Sequence, residues 1–120
     1  AGFKRVDYVT KGRHLWTEHY SAVRAEVPDP ADPATQPDVR LIETLEKADV
    51  VALSGQALSH CVANTVRDIA DRFSPESIRK LVLIEDTSSP VPGFEDMARQ
   101  FLEDLRGRGM RTAKAADFLR

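Results

Sequence analysis

A single cysteine, Cys61, lies in the stretch SGQALSHCVANTVRD, Ser54 to Asp68. A cysteine thiolate can form a covalent intermediate with a phosphoryl or an acyl group. His60 precedes it, and Arg67 follows after the five residues Val62, Ala63, Asn64, Thr65 and Val66. Three readings fit: attack on phosphorus, attack on an acyl carbon, or a thiol that fills a core, the commonest use of a lone cysteine. Phosphate chemistry needs a loop that wraps its N–H groups around the anion, and glycines that allow the close approach and positive φ. The five residues contain no glycine, and valine resists such angles. They continue a helical stripe through Ile69, Ala70 and Phe73 instead, so the Cys-x5-Arg phosphatase reading carries the least weight.

Acyl chemistry fits the spacing better. Val50 to Leu53 is a continuous apolar run, as expected of a strand covered on both faces. A turn through Gly55 to Leu58 follows, and a helix is expected from Ser59 to Phe73, with Cys61 in its first turn. Free N–H groups and the positive end of the helix dipole gather there. Both favour thiolate over thiol, and the same donors can hold a developing oxyanion. This is the strand–turn–helix arrangement of a nucleophile elbow without the G-x-S-x-G sequence.

Other side chains are weaker candidates. Lys11 ends a predicted strand, where a solvated lysine is the ordinary outcome. Trp16 and Tyr20 have rings that either stack on a flat substrate or pack their loop onto the sheet. His60 adjoins Cys61, but neighbouring helical residues point in different directions, so it reads as pocket-lining or structural rather than as a base. His14 and His19 lie in an irregular segment without a carboxylate set, so no metal site is expected within the chain. Asp86 could polarise the site, but the commoner use of a strand-end aspartate is to cap the following turn.

The elements that must position these residues follow from periodicity. Lys4 to Val9 alternates charged and apolar residues and predicts a strand. Arg13 to Arg24 has no clean period and reads as loop. Val27 to Pro37 holds four of the seven prolines, which reads as an extended loop over the surface. A helix is expected over Asp38 to Lys47 with Asp38 as cap, then a short turn at Pro75 capped by Ser74 and a strand over Leu81 to Glu85. Phe94, Met97, Ala98, Phe101, Leu102 and Leu105 form a helical stripe that reads as core, stopped by Gly107 and Gly109. Met110 to Ala113 reads as a strand and Ala115 to Leu119 as a last helical turn. Alternation of strand and helix predicts an α/β fold, a parallel sheet flanked by helices, with ligands beyond the carboxyl ends of the strands.

Bulk properties narrow the function. The 120 residues suit one domain, and a net charge of −2 offers no broad attraction to nucleic acid or an anionic membrane. No apolar run approaches the roughly 20 residues of a membrane helix. One cysteine precludes an internal disulfide and fits a reducing, cytoplasmic compartment.

Several of these residues carry a resemblance. GQALSHCV resembles the glycine-x-alanine-x-x-x-cysteine-valine segment of the nicotinamidase and isochorismatase-like cysteine hydrolases. KGRHLWTEHYSAV is similar to that family's lysine-glycine segment leading to a Ser-Ala stretch, and LVLIEDTSS to its next strand and Asp. The resemblance implies a Rossmann-like, three-layer isochorismatase-type fold, with residues 1–120 as the C-terminal portion of one domain and the fold incomplete at its N-terminus. It implies Cys61 as nucleophile and Lys11 as catalytic lysine. It implies a cis peptide between Gln56 and Ala57, and an oxyanion hole from the N–H groups of Ala57 and Cys61. The substrate implied is a small carboxamide, nicotinamide first, with Trp16, Tyr20 and His60 lining its pocket. The family's catalytic aspartate lies on an earlier strand; Asp7, four positions before Lys11, does not match it. The metal ligands of nicotinamidases also precede the lysine segment, so a divalent metal such as zinc would depend on upstream ligands. The alternative reading is a non-catalytic fragment or assembly module of the same fold. Under either reading the expected partner is a second copy of the chain or an N-terminal half.

Overall fold

A computed structural model describes residues 6–14 and 16–118. Four α-helices and three strands alternate along it: α1 (Val39–Lys47), β1 (Val51–Leu53), α2 (Cys61–Arg72), β2 (Leu81–Ile84), α3 (Glu95–Arg108), β3 (Arg111–Ala113) and α4 (Ala115–Phe118). The strands form one parallel sheet in the order β1-β2-β3, with Val51 beside Leu81, Leu53 beside Leu83, and Leu83 beside Thr112. The chain is therefore an α/β protein with a three-stranded parallel sheet and flanking helices.

Side chains alternate across a strand. Leu81 and Leu83 accordingly face the same way as Val51, and these three join Val62, Val66, Ile69, Ala98, Phe101 and Leu105 in one core beneath α2 and α3. Val82 and Ile84 point to the opposite face and are buried outside that cluster. Central β2 is thus covered on both sides. β1 is not: Val50 is 47% exposed and Ala52 is exposed, against the expectation for Val50 to Leu53. An apolar run reports what a strand would bury, and β1 lies at the sheet edge, where its outer face has fewer neighbours.

The N-terminal strand expectation fails at residues 6–9. Lys4 and Arg5 lie outside the described residues, and residues 6–9 pair with no strand among the described ones. Val6 and Tyr8 are exposed. Charge alternation marks an extended segment, but strand formation also needs a neighbour to complete the hydrogen bonds.

Helix ends follow local chemistry. The Asp38 carboxylate accepts the Leu41 N–H at 3.0 Å and caps α1. Ser74 makes no capping bond with its side chain at Pro75. Its N–H and hydroxyl instead donate to the Glu46 carboxylate, tying the segment after α2 to α1. The Ser74 N–H is the first cause holding the Glu46 carboxyl below its usual range. α3 runs through Gly107 and stops at Gly109, whose φ is 117°. There the Gly109 N–H donates to the Arg106 carbonyl and the Met110 N–H to that of Leu105, a Schellman pair. Gly109→Ala should cost about 1–2 kcal/mol through the left-handed backbone, read as a lower denaturation midpoint with an unchanged m-value.

The helical stripe of α3 is only partly core. Ala98, Phe101 and Leu105 are buried, but Phe94 and Met97 are 40% and 48% exposed. Phe94 precedes the first turn and sets its ring edge-on to His60, with centroids 4.8 Å apart, at the rim where α2 begins. The Pro-rich loop is organised by Thr35, which is fully buried. The Asp29 N–H donates to its hydroxyl at 2.7 Å, and that hydroxyl lies 2.8 Å from the Asp32 carbonyl.

Candidate functional site

The carboxyl end of β1 leads through Ser54 to His60 into α2. Gly55 makes the turn with φ 134°, a conformation that a Cβ would strain, and packs close to Val62. The peptide between Gln56 and Ala57, for which the resemblance implies the cis form, is cis. The Ala57 carbonyl accepts the N–H groups of both His60 and Val62, at 3.1 and 3.0 Å. The N–H groups of Ala57 and Cys61 donate to no acceptor among the described residues. Cys61 is the first residue of α2 and partly exposed, so its sulfur is not sealed in the core. Helices leave these first N–H groups unpaired, and the dipole adds positive potential there.

Cys61 lines a cavity of about 260 Å³ with Lys11, Ala22, Ser54, Gln56 and Thr65. Lys11, fifty positions earlier in the chain, is brought to the same cavity, and its ammonium donates to the Tyr20 carbonyl. The Thr65 hydroxyl accepts the Ala22 N–H at 2.9 Å and joins the lysine segment to α2. The cavity-lining residues include no aspartate or glutamate, and the walls beyond Lys11 are mostly small or aliphatic. A chamber of this size and lining has room for a small ligand only.

Three expected site residues divide. The Tyr20 and His60 rings lie 6.1 Å apart and, with Phe94, form an aromatic cluster at the start of α2, but neither Tyr20 nor His60 is among the residues lining the Cys61 cavity. His60 is tied through Nδ1 to the Ser59 hydroxyl at 2.8 Å. Trp16 is not brought to this place: it is 89% exposed and borders a separate hollow with His14 and Glu18. Arg67 is also absent from the cavity. Its guanidinium pairs with Asp104 and lies over the Phe101 ring, while residues 61–67 are helical and form no anion-wrapping loop.

His14 serves the loops, whereas His19 Nδ1 is buried without a hydrogen-bond partner among the described residues. His14 Nε2 lies 2.9 Å from Asp29 Oδ2, and among the described residues no three His, Cys, Asp or Glu side chains are grouped to hold a metal ion. The Ala31 N–H, and then His14, hold the Asp29 carboxyl below its ordinary 3.8. A lowered folded value contributes stability above the unfolded value and loses it as pH falls through the folded one. Asp29→Asn should therefore lower Tm at neutral pH, with a deficit that shrinks on acidification, read by thermal melts over roughly pH 3 to 7. Asp86, expected to cap the next turn, instead accepts the Ala115 N–H at 2.9 Å and caps α4.

Sequence reasoning missed Thr65, Ala22 and the Gln56 side chain as parts of the site. Of these only Gln56 carried a signal, as a polar residue inside the Gly-x-Ala turn.

The chain matches no family model, no curated protein and no solved structure. Among the described residues, no helix is long and apolar enough to cross a membrane.

Proposed function

We propose that the chain belongs to a cysteine hydrolase that cleaves the C–N bond of a small carboxamide, of the nicotinamidase and isochorismatase-like type, in a reducing cytoplasmic compartment. One observation carries this reading: Cys61 begins a helix beside two undonated N–H groups and shares its cavity with Lys11. The Cys61 thiolate attacks the carbonyl carbon and forms a C–S bond. The N–H groups of Ala57 and Cys61 hold the oxyanion, and Lys11 adds positive charge nearby. The C–N bond then breaks, and the leaving nitrogen takes a proton from a carboxylic acid. Water, deprotonated by that carboxylate, hydrolyses the thioester and regenerates the thiolate. The resemblance places this acid upstream of Lys11, within a three-layer fold of which these residues form the later part. In this reading Tyr20 and His60, whose rings meet at the start of α2, are the aromatic groups offered to a flat substrate.

The second reading, a non-catalytic assembly module, is favoured by two features. No carboxylate lines the cavity, and the outer edge of β1 is open among the described residues. Under both readings that edge takes a further strand, from an upstream half or a second copy. Ammonia release from nicotinamide separates the readings, measured for this chain and for a form extended upstream, each beside Cys61→Ser. Cys61-dependent release from either form supports the hydrolase. No release from the extended form leaves the module.

A further inference from the structure

We infer that Gln56 is a positioning residue whose side chain latches the Cys61 turn to the loop after β2 and so holds the Ala57 N–H in place. The catalytic part of this rests on the hydrolase reading; the latch itself does not. Gln56 Oε1 accepts both the Ser89 N–H at 3.1 Å and the Ser89 hydroxyl at 3.2 Å, while Nε2 donates to the Thr87 carbonyl at 3.3 Å. On the other side of Ala57, the Leu58 N–H donates to the Ser89 carbonyl at 2.8 Å. One residue further, the Ser59 hydroxyl accepts the Val91 N–H at 3.0 Å.

The Ala57 N–H thus belongs to a peptide whose neighbours on both sides are fastened to residues 87–91. The loops leaving two adjacent parallel strands become one body at the carboxyl rim of the sheet. The Gln56 side chain is exposed and outside the core, so its bonds add orientation rather than packing. That distinction matters for catalysis, because a donor to an oxyanion acts only when held at the position the charge will occupy. Gln56 touches the cavity wall as well, so disorder in its side chain would reach the place where Cys61 works.

The test uses amide hydrogen exchange on the 120-residue chain, and ammonia release from nicotinamide by whichever form, this chain or the upstream-extended one, is active. In Gln56→Ala the Leu58 and Val91 amides should exchange at least about tenfold faster, while amides of α3 are unchanged. If wild type releases ammonia, Gln56→Ala should lower kcat about tenfold or more with KM within about twofold, the split expected when only a transition-state contact is disturbed. Ser89→Ala, which removes one of the three bonds, should fall between wild type and Gln56→Ala. Gln56→Glu keeps the acceptor but sets a carboxylate against the Thr87 carbonyl, and should not restore kcat. Unchanged exchange at Leu58 and Val91 in Gln56→Ala overturns the latch whether or not the protein is a hydrolase. Unchanged kcat in an active Gln56→Ala overturns its catalytic role and leaves the hydrolase standing. Absent Cys61-dependent turnover in wild type removes the hydrolase and with it the catalytic role, while exchange still decides the latch.

Discussion

Cys61→Ser should lower amide hydrolysis by the active form at least about a thousandfold, as loss of a nucleophile does in other covalent hydrolases, while Tm stays within about 2 °C of wild type. The two halves of this result have separate causes. A serine hydroxyl in the same place is a far poorer nucleophile unless a general base activates it. No side-chain hydrogen bond joins residue 61 to either candidate: His60 Nδ1 is bonded to the Ser59 hydroxyl and its ring meets those of Tyr20 and Phe94, and the Lys11 ammonium donates to the Tyr20 carbonyl. Stability is spared because Cys61 is partly exposed at the start of α2, and the side chains that seat the helix are Val62, Val66, Ile69 and Ala70. The thioester gives a second, independent reading. Rapid quenching of wild type with a slow amide should reveal a protein mass increased by the acyl group, and Cys61→Ser should show none. Equal hydrolysis by wild type and Cys61→Ser would place the chemistry elsewhere.

The start of α2 could be anticipated because two short-range signals coincide there. An apolar run ends, and Gly55 provides a turn that other residues resist, so the first helical residues follow within a few positions. The α/β class was likewise legible from alternating periods, since α1, α2 and α3 each keep an apolar face. Periodicity records which way a side chain points and says nothing about what lies opposite. Phe94 and Met97 share the stripe of Phe101, yet they stand at the rim and remain exposed. The same limit explains Ala52 on the open face of β1. Gly107 and Gly109 look alike in sequence, but only Gly109 takes a positive φ, because its N–H and that of Met110 close the helix end. The Gln56–Ser89 contact joins residues 33 positions apart through side-chain amide and hydroxyl groups. A bond of that kind has no period and leaves no local trace. Lys11 reached the cavity through the same long-range folding. Its local sequence offered only a predicted strand end, and the resemblance gave it a role.

Phe101→Ala should be the most damaging single change to stability, at about 3–5 kcal/mol, against total stabilities of roughly 5–15 kcal/mol for domains of this kind. Phe101 is fully buried and belongs to the core that α2, α3 and β2 share with Val66, Leu81, Leu83 and Leu105. Truncation removes the buried ring and leaves a cavity that the rigid sheet cannot collapse to fill. The Arg67 guanidinium lies 5.6 Å from the ring centroid, so the variant also loses a cation–π contact between α3 and α2. The expected Tm decrease is on the order of 10–20 °C. Phe101→Leu restores most of the volume and should recover more than half of the loss, which separates packing from the aromatic contact. Arg67→Met in the Phe101→Leu background then isolates the cation: it should cost less there than in wild type, because the ring it lies over is gone. The consequence reaches the site through α2, whose first residue is Cys61 and whose inner face rests on this core. Phe101→Leu should therefore keep both the fold and the Leu58 exchange protection. Phe101→Ala should lose protection at Leu58 and in α3 together, unlike Gln56→Ala, which releases Leu58 and Val91 alone. Chemical denaturation with hydrogen exchange on the same samples reads both quantities, and a cost under about 2 kcal/mol for Phe101→Ala would mean that the core can collapse around the missing ring.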